Sequence, residues 1–142
     1  MTRFNNLIAV GLGGFLGAIA RYGIGSVFLC REGFFWGTFF VNITGSFLLG
    51  FVQVLALKRL ALGPRFRLFA GVGFCGAYTT FSTFTKESLE LLYHHQLAAS
   101  IFYMAGTTAC CLFAAFSGMA FGYFFINLLE KRKSRLINSD RE

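Results

Sequence analysis

The sequence predicts an all-α membrane protein of four transmembrane helices, the third broken at its middle, forming a single domain. Three observations predict it. Charged residues are only 13% of the 142 residues while hydrophobic ones are 56%, whereas a soluble domain averages about 25% charged. Stretches 5–20, 34–57, 68–85 and 97–129 contain no Asp, Glu, Lys, Arg or His, and a bilayer-spanning helix takes roughly 20 mostly apolar residues. The connectors between these stretches are short, which leaves no room for a soluble catalytic domain.

Helix one is expected at about 5–28. Arg3 and the Ala18-Ile19-Ala20 run suggest a signal peptide, but the apolar run is long and continues beyond Arg21, so the segment is read as a helix. Gly13 and Gly17 form a small-x-x-x-small pair, as do Gly14 and Ala18. Close backbone approach at small residues drives helix association in lipid. Helix two is expected at about 34–57, with Ser46 and Gly50 spaced in the same way. Gly63-Pro64 then breaks any continuation.

Helix three, at about 68–93, is abnormal. Gly71, Gly73 and Gly76 weaken it, and then Thr79, Thr80, Ser82, Thr83 and Thr85 arrive within seven positions. Strings of β-branched residues add strain. A break is expected near Gly76 to Thr79, which frees backbone groups at membrane depth. That is tolerated where protein, water or an ion satisfies them. Phe81 and Phe84 are three apart, share a helix face and alternate with hydroxyls. The edge of an aromatic ring is positive, so such rings can touch an anion favourably. Helix four is expected at about 97–129, followed by a polar tail at 130–142.

Three further polar residues stand out. Asn42 lies inside a charge-free span and must find partners; its amide either donates to an anion or holds two helices together. Arg21 marks an ion path or a buried pair, or snorkels to the interface. Glu87 is the carboxylate best placed to face the bundle, and a charge at a helix end is the ordinary alternative. Cys30, Cys75, Cys110 and Cys111 show no Cys-x-x-Cys or Cys/His spacing, so they read as small apolar residues. His94-His95 reads as a solvated loop.

The net charge of +7 is carried by bases at helix ends. Arg3, Lys58, Arg59, Arg65, Arg67 and the five bases of the tail lie on the side of the termini, and Arg31 lies on the other, with Lys86 its nearest companion. By the positive-inside rule both termini are cytoplasmic.

Three motifs in order resemble the Fluc (CrcB) family of small fluoride channels. They are Gly14-Phe15-Leu16-Gly17-Ala18-Ile19-Ala20-Arg21-Tyr22, Gly37-Thr38-Phe39-Phe40-Val41-Asn42-Ile43-Thr44-Gly45 and Gly73-Phe74-Cys75-Gly76-Ala77-Tyr78-Thr79-Thr80-Phe81-Ser82-Thr83-Phe84. The third is the most specific, and the resemblance covers about residues 9–122. It implies a multi-pass protein of the bacterial cytoplasmic (inner) membrane, acting as an antiparallel homodimer with two fluoride pores. It implies that Phe81 and Phe84 line the pore by their edges and that Asn42 donates to fluoride. Ser82 and Thr83 would belong to the same polar path, and Tyr103 and Thr107 to a hydroxyl row on helix four in which Cys111 replaces a hydroxyl. The carbonyls of Gly76 and Thr79 would hold a structural Na⁺ at the dimer centre, two from each subunit. Arg21 would stand at a vestibule, and Glu87 at an acidic position.

A passive channel needs sites strong enough to admit an ion and weak enough to release it, which neutral donors supply. One feature departs from the family pattern. An antiparallel homodimer favours a weak charge bias, yet this one is strong: either other signals override it, or the chain pairs with an oppositely inserted paralogue. The competing function is a small proton-coupled multidrug or cation exporter of four helices. Such a pump needs a buried carboxylate, and only Glu87 and Glu90 are available. No nucleophile–base pair, metal cluster or phosphate loop suggests an enzyme.

Overall fold

A computed structural model describes residues 2–28, 35–57 and 63–139, with side chains at 3–28, 35–57 and 63–132. Among the described residues every element is helical. Helix α1 is Thr2–Val27 and α2 is Trp36–Leu57. The third pass is composite. It comprises the short turn α3 at Pro64–Arg67, a π-helical segment at Leu68–Cys75, the turn α4 at Gly76–Tyr78, and α5 at Phe81–Tyr93. The last helix, α6, is Leu97–Ser139. Among the described residues, three helices are long and apolar enough to cross a membrane: Arg3–Val27, Trp36–Leu57 and Leu97–Arg132.

The interruption of the third pass lies slightly later than the glycine-based expectation. Gly76–Tyr78 is still helical, and the extended residues are Thr79 (φ −76°, ψ 157°) and Thr80 (φ −145°, ψ 122°). The glycines act one step earlier: Gly71 and Gly73 lie in the widened π turns. The β-branched pair, disfavoured in a helix, takes the break. The helix at the C-terminal end also runs further than 129. Residues 130–139 carry no Gly or Pro to stop it, so the polar tail continues α6 to Ser139.

Glycines set which helices touch. A Cβ on Gly13 would fall on the carbonyl oxygen of Phe69, and one on Gly17 on that of Phe74. A Cβ on Gly118 would meet the Phe47 carbonyl oxygen. Thus α1 packs parallel to the π segment, and α2 parallel to α6, backbone against backbone. Consecutive passes run in opposite directions: Gly25 sits 3.4 Å from an ideal Cβ on Gly37 across the α1–α2 pair.

The core is small. Its buried apolar cluster is Val54, Leu55 and Ile126, with Phe51 and Met119 against them. Large apolar side chains instead cover the outside, among them Phe4, Phe15, Phe102, Phe113 and Phe124. That inverts the soluble pattern and suits a chain whose solvent is lipid.

Candidate functional site

The site is built around the break at Thr79–Thr80. Two extended residues leave a backbone N–H and C=O with no helical partner, and α2 supplies one. Asn42 Oδ1 accepts from the Thr80 N–H at 2.7 Å, and Asn42 Nδ2 donates to the Thr80 carbonyl at 3.0 Å. One side-chain amide thereby replaces both missing bonds in a buried position. Of the two roles open to Asn42, joining helices is therefore in use. A primary amide carries two N–H donors, so one is left for a ligand.

Thr80 also caps α5. Its Oγ1 accepts from the Thr83 N–H at 3.1 Å, the pattern that satisfies the first amides of a helix. The same hydroxyl lies 3.0 Å from Thr83 Oγ1 and 3.3 Å from Ser82 Oγ. Two carbonyls lose their α-helical donors as a result. The Thr80 amide, which would close a turn on Gly76, goes to Asn42, and the Thr83 amide, which would close one on Thr79, goes to Thr80 Oγ1. Gly76 is exposed, with open space around an added Cβ. Hard oxygen donors turned away from helix bonding suit a small cation such as Na⁺.

Toward the α5–α6 turn, Glu87 is clasped from two helices. Thr38 Oγ1 donates to Oε1 and Tyr103 OH donates to Oε2, each at 2.7 Å. The sequence placed Glu87 toward the bundle or at a solvated end, and it faces the bundle. Arg21, on α1, lines the same recess as Thr38, Thr80, Thr83 and Glu87, with a cavity volume of about 210 Å³. Its Nε is buried without a hydrogen-bond partner. Among the described residues Arg21 and Glu87 form no ion pair, although both line the recess.

The aromatic residues continue from the recess. Phe84 lies 5.4 Å from Tyr103 and Phe81 lies 5.9 Å from Phe84, by ring centroids. Phe81 is 79% exposed, so in a single chain it faces outward, as does Ser82. On α6, Tyr103 and Thr107 share a face one turn apart. The Thr107 hydroxyl is buried with no hydrogen-bond partner among the described residues, and Cys111 continues the row half-buried. Cys75 is buried and Cys110 exposed; neither is bridged, and Cys30 lies outside the described residues.

Thr38 was not singled out from sequence, although it sits in the second motif. A lone Thr on an apolar helix usually bonds to its own backbone, as Thr44 does to Phe40 at 2.8 Å. The Glu87 partner lies 49 residues away, and no local spacing reports it.

These features define a multi-helix membrane protein with an interrupted helix and, beside the break, a recess lined by Arg21 and Glu87. Residues 8–119 match the family described as CrcB-like protein, Camphor Resistance (CrcB), and the chain belongs to that family. Among its relatives, a Listeria innocua protein named Fluoride-specific ion channel FluC 1 is 48% identical over 120 residues, covering 82% of this chain and 97% of its own length. A Rhizobium meliloti protein named Fluoride-specific ion channel FluC is 40% identical over 118 residues, 82% of this chain and 94% of its own. One of the same name from Trichormus variabilis is 48% identical over 104 residues, 71% of this chain and 76% of its own.

Proposed function

We infer that this chain is a passive fluoride-selective ion channel that lets fluoride leave the cell and so limits its toxicity. It is a channel rather than an enzyme, and the family assignment removes the ground for a drug or cation exporter. The observation that carries the reading is the break at Thr79–Thr80. It starts α5 next to the buried Asn42 and Thr80, with Phe81, Ser82 and Thr83 in its first turn. A helix N-terminus offers free amides and a positive dipole end, a favourable place for an anion.

The ion path we propose begins at the recess, where the Arg21 guanidinium attracts an anion and the Glu87 carboxylate on the same lining is engaged by Thr38 and Tyr103. It continues past the spare N–H of Asn42, the hydroxyls of Ser82 and Thr83, and the edges of Phe81 and Phe84. Tyr103 and the unpartnered Thr107 hydroxyl extend the row along α6. Glu87 holds Thr38 and Tyr103 in place beside the path. Neutral donors replace the water of a small, tightly hydrated anion without trapping it.

The exposed Phe81 and Gly76 favour a second copy completing the site. In this reading two chains pair antiparallel in the bacterial inner membrane, and the Gly76 and Thr79 carbonyls of each hold a structural Na⁺ between them. When bound, the cation would neutralise carbonyl dipoles that the break leaves without amide donors.

Purified protein in liposomes should release fluoride rapidly and chloride far more slowly. Replacing Phe81 and Phe84 together by Ala should slow fluoride release at least tenfold, and an unchanged rate would remove the ring pair from the path. Glu87→Gln should still conduct, because a channel needs no exchangeable proton there. Withdrawing Na⁺ during purification should weaken the dimer, read by size-exclusion chromatography.

A further inference from the structure

A groove opens between the start of α1 and α3, away from the ion path. Asn5, Ile8 and Leu12 form one wall, and Arg65, Phe66 and Phe69 the other, around a volume of about 410 Å³. A second recess of about 450 Å³, lined by Asn6, Gly63 and Pro64, shares Arg65. The lining is ordered by depth. Asn5 and Arg65 lie at the end where α1 begins and the third pass enters, and Leu12 lies about 10 Å further along α1, at 1.5 Å per residue. The groove is therefore polar at its mouth and apolar below.

The charge at this end is one-sided. Helix directions bring Arg3, Arg65, Arg67, Lys131 and Arg132 to it, against Glu130 alone among the described residues. The Arg65 side chain makes no hydrogen bond or ion pair with any described residue, and its long stem can carry the guanidinium to the headgroup level. A guanidinium binds phosphate oxygens by parallel N–H donors. Apolar walls in the hydrocarbon zone match an acyl chain.

We propose that this groove holds one anionic phospholipid, its phosphate on Arg65 and its acyl chain against Ile8, Leu12, Phe66 and Phe69. The selection is for net negative charge, because Arg65 stands at the mouth, the described bases at this end outnumber the one acid, and a zwitterionic headgroup brings its own cation. The proposal stands apart from fluoride conduction, which its test does not measure.

The test uses the full-length protein purified in detergent and exposed to an equimolar mixture of phosphatidylglycerol and phosphatidylcholine. Retained lipid is counted by mass spectrometry of the intact protein. Phosphatidylglycerol should be retained in clear preference. Arg65→Gln should lower its retention about fivefold, the factor that one basic group near an anionic surface is worth. Arg132→Gln, on α6 away from the groove, should change it little. Ile8→Trp, which fills the groove while keeping Arg65, should reduce retention of both lipids. Equal retention of the two lipids, or an Arg65→Gln variant that behaves as the parent does, would overturn the assignment. So would a second copy of the chain in the groove, seen as a cross-link between cysteines placed at Leu12.

Discussion

At the scale of single residues, Asn42 carries more than its position suggests. A buried amide in an apolar span has to be satisfied, but the sequence left open whether by an ion or by protein. The structure answers with both backbone groups of Thr80, a partner 38 positions away that no periodicity reveals. Asn42→Ala leaves a buried N–H and a buried C=O unpaired, at a cost of about 1–3 kcal/mol for each group. The expected result is a clearly lower thermal midpoint in detergent together with slower fluoride release. Asn42→Asp keeps the acceptor for the Thr80 amide, so its midpoint should fall between those of the parent and the Ala variant. An Ala variant that melts with the parent would mean that water replaces the amide at the break. Thr107 is the converse case: its hydroxyl is buried with no hydrogen-bond partner among the described residues, as a place on the proposed ion path would require.

At the scale of elements, glycine spacing was readable as close packing but not as a partner list. Gly13 and Gly17 were expected to face a helix; which helix depends on the π turns at Leu68–Cys75, which bring the Phe69 and Phe74 carbonyls onto α1. The helix weakness around Gly71–Thr80 was equally visible, yet its resolution into a π segment and a later break was not. That division depends on Asn42 being in reach of Thr80. The packing makes a paired prediction. A Cβ at position 17 lands on backbone, which cannot swing aside, whereas one at Gly23 meets nothing within 4 Å. Gly17→Ala should therefore destabilise by about 1–3 kcal/mol, as overpacking does. Gly23→Ala should hold or gain up to about 1 kcal/mol through helix propensity. Reversible unfolding in mixed micelles compares them, and equal effects would show that α1 does not touch the π segment as described.

At the scale of the whole molecule, the unresolved tension is between charge and symmetry. Membrane-spanning stretches, their order and the family motifs were legible because lipid and motif spacing both act locally along the chain. Pairing was not, because it depends on surfaces such as Phe81 that a single chain leaves open. By the sequence reading, ten bases are expected at the end of the two termini, against Arg31 and Lys86 at most on the other side. The positive-inside rule would insert every copy the same way, while an antiparallel homodimer needs half of the copies inverted. In the proposed pair, burying Phe81 and sharing the Gly76 and Thr79 carbonyls would be gains that an inverted partner brings, and they would retain inverted copies after insertion. Cytoplasmic-membrane vesicles of known sidedness decide the matter. With the native cysteines replaced and Arg3→Cys introduced, a membrane-impermeant maleimide applied from either side alone should label about half of the chains, since the proposed pair places one N-terminus on each face. Labelling confined to one face would mean a single orientation, and the partner would then have to be a different chain inserted the other way.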